Sequence, residues 1–138
     1  MNLNPEQIRL SPAVILLAHG SADPAWAAPL QALRERLASA EPRRPLRLAY
    51  LESASPTLLE AARDLAASGA HEVAVIPVFF SSGGPHLRRD VPALVAEAQR
   101  ECPDLTLELL GGALGEEREV LDSMARAARR RLHRWPSD

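Results

Sequence analysis

The spacing of apolar positions changes several times along the chain. Ala13–Ala18 (AVILLA) is a continuous apolar run of strand length. It is followed by Gly20, Asp23 and Pro24, residues that turn a chain and start helices. Trp26, Leu30, Leu33 and Leu37 then recur at helical spacing, which predicts a helix over Pro24–Ala40, closed by Pro42 and Pro45. Leu46–Leu51 (LRLAYL) alternates as a strand does. Ser55-Pro56 reads as an N-cap with proline at the first helical position. Leu58, Ala62 and Leu65 stripe a second helix that ends at Gly69, and Val73–Phe80 is a third strand. A Ser/Gly/Pro loop, Ser81–Pro85, precedes a third helix opened by Asp90 and Pro92 and ending near Glu101. Leu105–Leu110 (LTLELL) is a fourth strand, closed by Gly111-Gly112. The last helix runs from Glu116 to about Arg134, with Leu121, Met124, Ala128 and Leu132 facing inward.

The order is β-α repeated four times, so the fold class is α/β: an open four-stranded parallel sheet with right-handed crossovers and helices on both faces. The first and third strands are almost wholly apolar, as central strands covered on both sides must be. The second and fourth carry Arg47, and Thr106 with Glu108, as edge strands do. The expected strand order is therefore 2-1-3-4. The topological switch point falls between strands one and three, and ligands of open α/β sheets sit there, beyond the carboxyl ends.

Composition narrows the function. The 138 residues form one expected domain, 1–138, with its core at about 13–132. All 16 cationic residues are arginine, which excludes Schiff-base and P-loop lysine chemistry. A single cysteine, Cys102, excludes an internal disulfide and an iron–sulfur cluster. Net charge is −2. The arginines at 126, 129, 130, 131 and 134 end a helix begun by Glu116 and Glu117, an order that complements the helix dipole rather than marking a nucleic-acid patch. The longest apolar runs are far shorter than the ~20 residues that span a bilayer, and the N-terminus lacks a basic and apolar signal segment. The expectation is a soluble cytoplasmic protein with neither nucleic acid nor membrane as partner.

Two histidines stand at the predicted crevice. His19 follows the first strand, in Ala18-His19-Gly20-Ser21, and His86 ends the loop Ser81-Ser82-Gly83-Gly84-Pro85. Glu52 follows the second strand, next to the first. Two imidazoles and a carboxylate suit a divalent cobalt, iron, nickel or zinc ion, and they serve equally well as bases near neutral pH. His19 as a simple turn residue is the plainer alternative. The glycines permit close backbone approach to a ligand or an ordinary turn. Arg88 and Arg89 fit carboxylate or phosphate recognition near a helix start, or a solvated face. Asp90 reads as an N-cap and Trp26 as a core residue close enough to the crevice to line it.

These residues also carry a resemblance. His19-Gly20-Ser21-x-Asp23-Pro24, Tyr50-Leu51-Glu52 with Pro56, Val75-Ile76-Pro77-Val78-Phe79-Phe80, Gly83-Gly84 and His86-Leu87-Arg88-Arg89-Asp90-Val91-Pro92, in that order, resemble the small class II sirohydrochlorin chelatases. These are single-domain cobalt, iron or nickel chelatases of cobalamin and siroheme synthesis, and the resemblance covers about residues 13 to 132. It implies a flavodoxin-like, chelatase-like half unit that pairs as a homodimer. It implies that His19 and His86 bind the incoming metal, with His19 accepting a proton. It implies further that Glu52 and the loop Ser81, Ser82, Gly83, Gly84, Pro85 and His86 contact the tetrapyrrole. The metal, Co2+ or Fe2+ with Ni2+ as a third choice, would be a substrate, and no organic cofactor is expected. The chain departs from the family pattern at Ala22, where a basic residue is usual, and at Pro85, an extra residue between the glycines and the histidine.

The chemistry fits those residues independently. A free-base tetrapyrrole sheds two N–H protons while the metal exchanges its ligands for ring nitrogens, which asks for labile imidazoles and a nearby base. Arg88, Arg89 and the loop amides are the local partners for the macrocycle's carboxylates. Two other readings compete: a non-enzymatic tetrapyrrole or metal carrier, and a His-dependent phosphatase or hydrolase. Against the latter, no GxSxG elbow is present and no arginine sits beside His19.

Overall fold

The computed structural model describes residues 12–136, and of Pro85 and His86 the backbone alone. β1 (Ala13–Ala18) has all six residues buried. It pairs in parallel with β2 (Leu46–Tyr50) on one side and β3 (Glu72–Pro77) on the other, Leu16 lying opposite both Leu48 and Ile76. β4 (Thr106–Leu109) completes the sheet in the order β2-β1-β3-β4. The four-stranded parallel α/β sheet with order 2-1-3-4 is thus the one its residue pattern predicts.

The alternation of β1 divides the core into two layers. Ile15 and Leu17 join Val73 and Val75 beneath α2 (Leu58–Ala67) and α3 (Pro85–Glu101), which contribute Leu58, Ala62, Leu65, Val91 and Val95. Val14, Leu16 and Ala18 point the other way, with Leu48 and Tyr50, and meet Leu30, Leu33 and Leu37 of α1 (Ala28–Ala40). Helices therefore cover both faces, though unequally. β3 buries Val73, Val75 and Pro77 on the α2/α3 face and leaves Ala74 and Ile76 half-buried on the other, so it is covered fully on one side only.

Several boundaries move, each for a local reason. Pro24–Ala27 is a short 3-10 turn capped by Asp23, whose carboxylate accepts the Ala25 N–H at 3.0 Å, and the α-helix starts only at Ala28. Trp26, in that turn, is 38% exposed rather than core, and stacks obliquely on Tyr50 at 6.2 Å between ring centres. The N-cap of α2 is Thr57, not Ser55. The Tyr50 N–H reaches the Pro56 carbonyl, so residues 56–57 still run beside the sheet. The Thr57 hydroxyl then caps the helix, accepting the Glu60 N–H and donating to the Glu60 carboxylate, both at 3.2 Å. β3 stops at Pro77 instead of Phe80, and Phe79 turns into the core while Phe80 faces solvent.

The third helix starts at Pro85, not near Asp90. Gly84 takes φ +98°, a conformation open to glycine, and Pro85 fits the first helical position. Pro85 thus leaves the loop, and Arg88, Arg89 and Asp90 lie within the helix.

The largest departure is α4 (Arg118–Arg134). Leu121, Met124 and Leu132 do not face inward; they are 45%, 51% and 63% exposed, Ala128 is exposed too, and no residue of α4 is buried. The sheet surface left open beside α1 shows why: β4 presents Thr106 and Glu108 there, both exposed, which is poor ground for an apolar stripe.

Leu65 of α2 is fully buried against the sheet, as are Ile15 and Leu17 of β1. Leu65→Ala should cost about 2–5 kcal/mol in urea unfolding followed by circular dichroism, because the close-packed surroundings cannot collapse into the space.

Candidate active site

Backbone hydrogen bonds carry the pairing of β1 and β2 beyond the strand ends. The Leu51 N–H donates to the Ala18 carbonyl (2.9 Å) and the Glu52 N–H to the His19 carbonyl (3.1 Å). His19 and Glu52 are thereby set side by side, with His19 Nε2 3.1 Å from Glu52 Oε1. Both side chains are more than half exposed. Gly20 makes the approach feasible: its φ is +103°, and a Cβ there would lie 1.8 Å from the Glu52 carbonyl oxygen.

Next to this pair opens a cleft of about 610 Å3, lined by His19, Leu51 and Glu52 from the strand ends and by Asp90, Ala93, Leu94 and Glu97 from α3. It lies beyond the carboxyl ends of β1 and β2, close to the predicted switch point. Three carboxylates and an imidazole line a partly apolar wall, a combination that raises the local concentration of a divalent cation. Among the described residues no three histidine, cysteine or acidic side chains converge on one point. His19 and Glu52 therefore offer two ligating side chains. His86 sits in the first turn of α3, and its side chain, like that of Pro85, lies outside the described residues.

The rest of the predicted site is arranged differently. Ser81, Ser82, Gly83 and Gly84 form a loop laced to the segment that precedes α4. The Ser82 hydroxyl accepts the Ala113 N–H at 2.7 Å, and the Ser82 N–H donates to the Glu116 carboxylate. The Gly115 N–H donates to the Phe79 carbonyl at 2.8 Å, and a Cβ on Gly115 would meet the Phe80 backbone at 2.3 Å. Arg88 lines a separate recess of about 170 Å3 with Ser82, Phe79 and Gly112, and Arg89 lies exposed on α3. Neither arginine joins the wall of the larger cleft.

Sequence reasoning missed Glu116, Asp90 and Glu97. Glu116 read as a dipole partner at a helix start, whereas here it holds a loop distant in sequence. Asp90 and Glu97 are two helical turns apart, with Ala93 and Leu94 between them. That spacing would have flagged one face of α3 had the helix start been placed at Pro85. The Glu116 carboxyl is held below its ordinary value, first by the Ser82 N–H, then by the Ser82 hydroxyl and the Arg88 charge.

The profile of the CbiX family matches residues 13–131. The chain belongs to the CbiX family. The sirohydrochlorin cobaltochelatase of Methanosarcina acetivorans is 26% identical over 69% of this chain and 72% of its own. That of Saccharolobus solfataricus is 37% identical over 59% of this chain and 62% of its own. The crystal structure of a CbiX protein from Marinobacter aquaeolei VT8 superposes with a TM-score of 0.79 and 29% identity, over 91% of this chain and all of that one. The Bacillus subtilis subspecies spizizenii sirohydrochlorin chelatase SirB, solved with cobalt, shares the fold at a TM-score of 0.70 and 22% identity. This CbiX-family chain spans 50% of its length.

Two outcomes follow from this geometry. In Gly20→Ala the added Cβ forces the β1 and β2 extensions apart, so the protein should lose at least about 2 kcal/mol of stability in denaturant unfolding. Glu116, with its lowered pKa, stabilises the loop above its unfolded value, and that contribution is lost as pH falls through the folded value. The protection of the Ser82 amide, measured by NMR hydrogen exchange relative to the intrinsic rate at each pH, should therefore fall as Glu116 becomes protonated on acidification. In Glu116→Gln that protection should already be lower at neutral pH and nearly free of the acid step.

Proposed function

We propose that this chain inserts a divalent metal, Co2+ or Fe2+, into sirohydrochlorin. The observation that carries the reading is the imidazole–carboxylate pair of His19 and Glu52 at the mouth of an acidic-walled cleft in a CbiX-family fold. Relatives named sirohydrochlorin cobaltochelatases supply the substrate class and favour cobalt. Iron and nickel suit the same donors.

The Glu52 carboxylate, 3.1 Å from Nε2, orients the imidazole and leaves Nδ1 for a metal ion or a proton. His19 and His86 hold the incoming ion through few and labile contacts, so it can pass to the four ring nitrogens. The two pyrrole N–H protons that leave are taken up by His19, supported by Glu52, and by solvent. The loop Ser81–Gly84 and the side chains of Arg88 and Arg89 contact the macrocycle, the arginines binding its carboxylates at the rim. We assign this activity to a single chelatase-like unit working in the cytoplasm. No described helix is long and apolar enough to cross a membrane. Two copies form the working unit, the second covering the exposed side of the cleft.

Anaerobic sirohydrochlorin mixed with Co2+, and separately with Fe2+, tests the reading through the shift of its visible bands. Wild type should accelerate insertion well above the protein-free rate. His19→Ala and His86→Ala should each lose at least about 100-fold of that acceleration, and Glu52→Gln roughly 10-fold. Tight macrocycle binding with only the spontaneous insertion rate would instead make the chain a tetrapyrrole carrier.

A further inference from the structure

Ser82 and Arg88 are brought together twice in this structure. Both line the recess of about 170 Å3 beyond β3, whose walls are otherwise mostly apolar, with Phe79, Leu87, Val91 and Leu109 among them. Both also act on one carboxylate of the chain itself. The Glu116 side chain accepts the Ser82 N–H, and the Arg88 charge reaches it. A main-chain N–H and a guanidinium are donors that recognise a carboxylate, and the apolar walls beside them suit the carbon arm that carries one.

Glu116 is one tie of the loop among several. It is exposed, and it rises from a three-residue 3-10 turn, Leu114–Glu116. The Ser82 hydroxyl accepts the Ala113 N–H at 2.7 Å, the Gly115 N–H donates to the Phe79 carbonyl at 2.8 Å, and the Gly83 N–H donates to the Ser81 hydroxyl at 3.0 Å. All of these can stay in place when the Glu116 side chain swings into water. What that swing opens is a single amide beside Arg88.

We propose that Glu116 is an internal stand-in: it fills, with its own carboxylate, a subsite for a short alkyl carboxylate arm of the substrate, and that arm displaces it. The recess is smaller than the roughly 300 Å3 that encloses a whole small ligand, so it takes an arm and not a ring. That the arm belongs to sirohydrochlorin, which carries acetate and propionate arms, rests on the function proposed above. On displacement the Glu116 side chain moves into water. The incoming carboxylate takes the Ser82 N–H and pairs with Arg88, and its carbon arm enters the recess. Two carboxylates do not share the place, because like charges in contact repel. A tethered carboxylate competes at a high effective concentration, so a small free acid fails to displace it, whereas a macrocycle anchored elsewhere in the cleft succeeds. Glu116 thereby selects for ligands held at several points and lowers their apparent affinity by the fraction of molecules in which the subsite is open.

Emptying the subsite tests this. In Glu116→Ala protein the Ser82 amide resonance should shift saturably with millimolar propionate. It should stay put in wild type, and the response should vanish when Arg88→Ala is added to Glu116→Ala. Sirohydrochlorin titrated without metal, and followed through its visible bands, should bind Glu116→Ala at least about 5-fold more tightly than wild type. Glu116→Gln, which keeps an acceptor for the amide but not the charge, should fall between the two. The exposed position of Glu116 leaves the core of both variants intact. Equal or weaker macrocycle binding by Glu116→Ala would make Glu116 a loop tie alone and overturn the inference, as would a Ser82 amide in that variant indifferent to propionate. Metal insertion by wild type, with no tighter macrocycle binding in Glu116→Ala, overturns the stand-in and leaves the chelatase. A propionate response confined to Glu116→Ala, with sirohydrochlorin bound by neither protein, keeps the carboxylate subsite and overturns the chelatase.

Discussion

The parallel pairing of β1 with β2 and β3 is the interaction on which the rest of the molecule depends. All six residues of β1 are buried, so the strand must pair on both edges and be covered on both faces. A one-residue slip would exchange Ile15 and Leu17, which belong under α2 and α3, with Val14 and Leu16, which belong under α1. Both core layers therefore hold one register. That register fixes which residue of the β2 extension meets His19, and the residue it brings there is Glu52.

The site inherits its rigidity from that arrangement on one side and from a looser lacing on the other. His19 and Glu52 extend from strands whose hydrogen bonds continue past the last sheet residue, with Gly20 admitting the close approach. The loop after β3 has no such ladder. It is held by side chains and turn amides from the segment before α4, through Ser82, Ala113, Gly115 and Glu116. The polar edge strand β4 explains the remaining feature, a last helix that finds no apolar ground on its own sheet.

The acidic lining of the cleft and the arginines outside it separate the charges of this end of the molecule. Carboxylates at 52, 90 and 97 gather cations beside His19, while Arg88 sits in the recess beyond Ser82, close enough to act on Glu116. The fold thus places opposite charges on different parts of α3 and its loop.

The sequence by itself determined the class, the strand order and the neighbouring places of two candidate site residues. Strand-length apolar runs, polar residues on the edge strands and turn signals act locally, and the crossover rule converts them into one topology with His19 and Glu52 at adjacent strand ends. It also showed an apolar stripe on the last helix, but not what that stripe faces. Only the tertiary structure decided that α3 begins at Pro85, because Gly84 must adopt a left-handed conformation that depends on where the loop is tied. Only it revealed Glu116 as the partner of Ser82, a contact between residues 34 apart in the chain. And only it turned α4 outward. Periodicity records which side of a helix is apolar, while the surface that covers it is set by what the neighbouring strand presents, here Thr106 and Glu108.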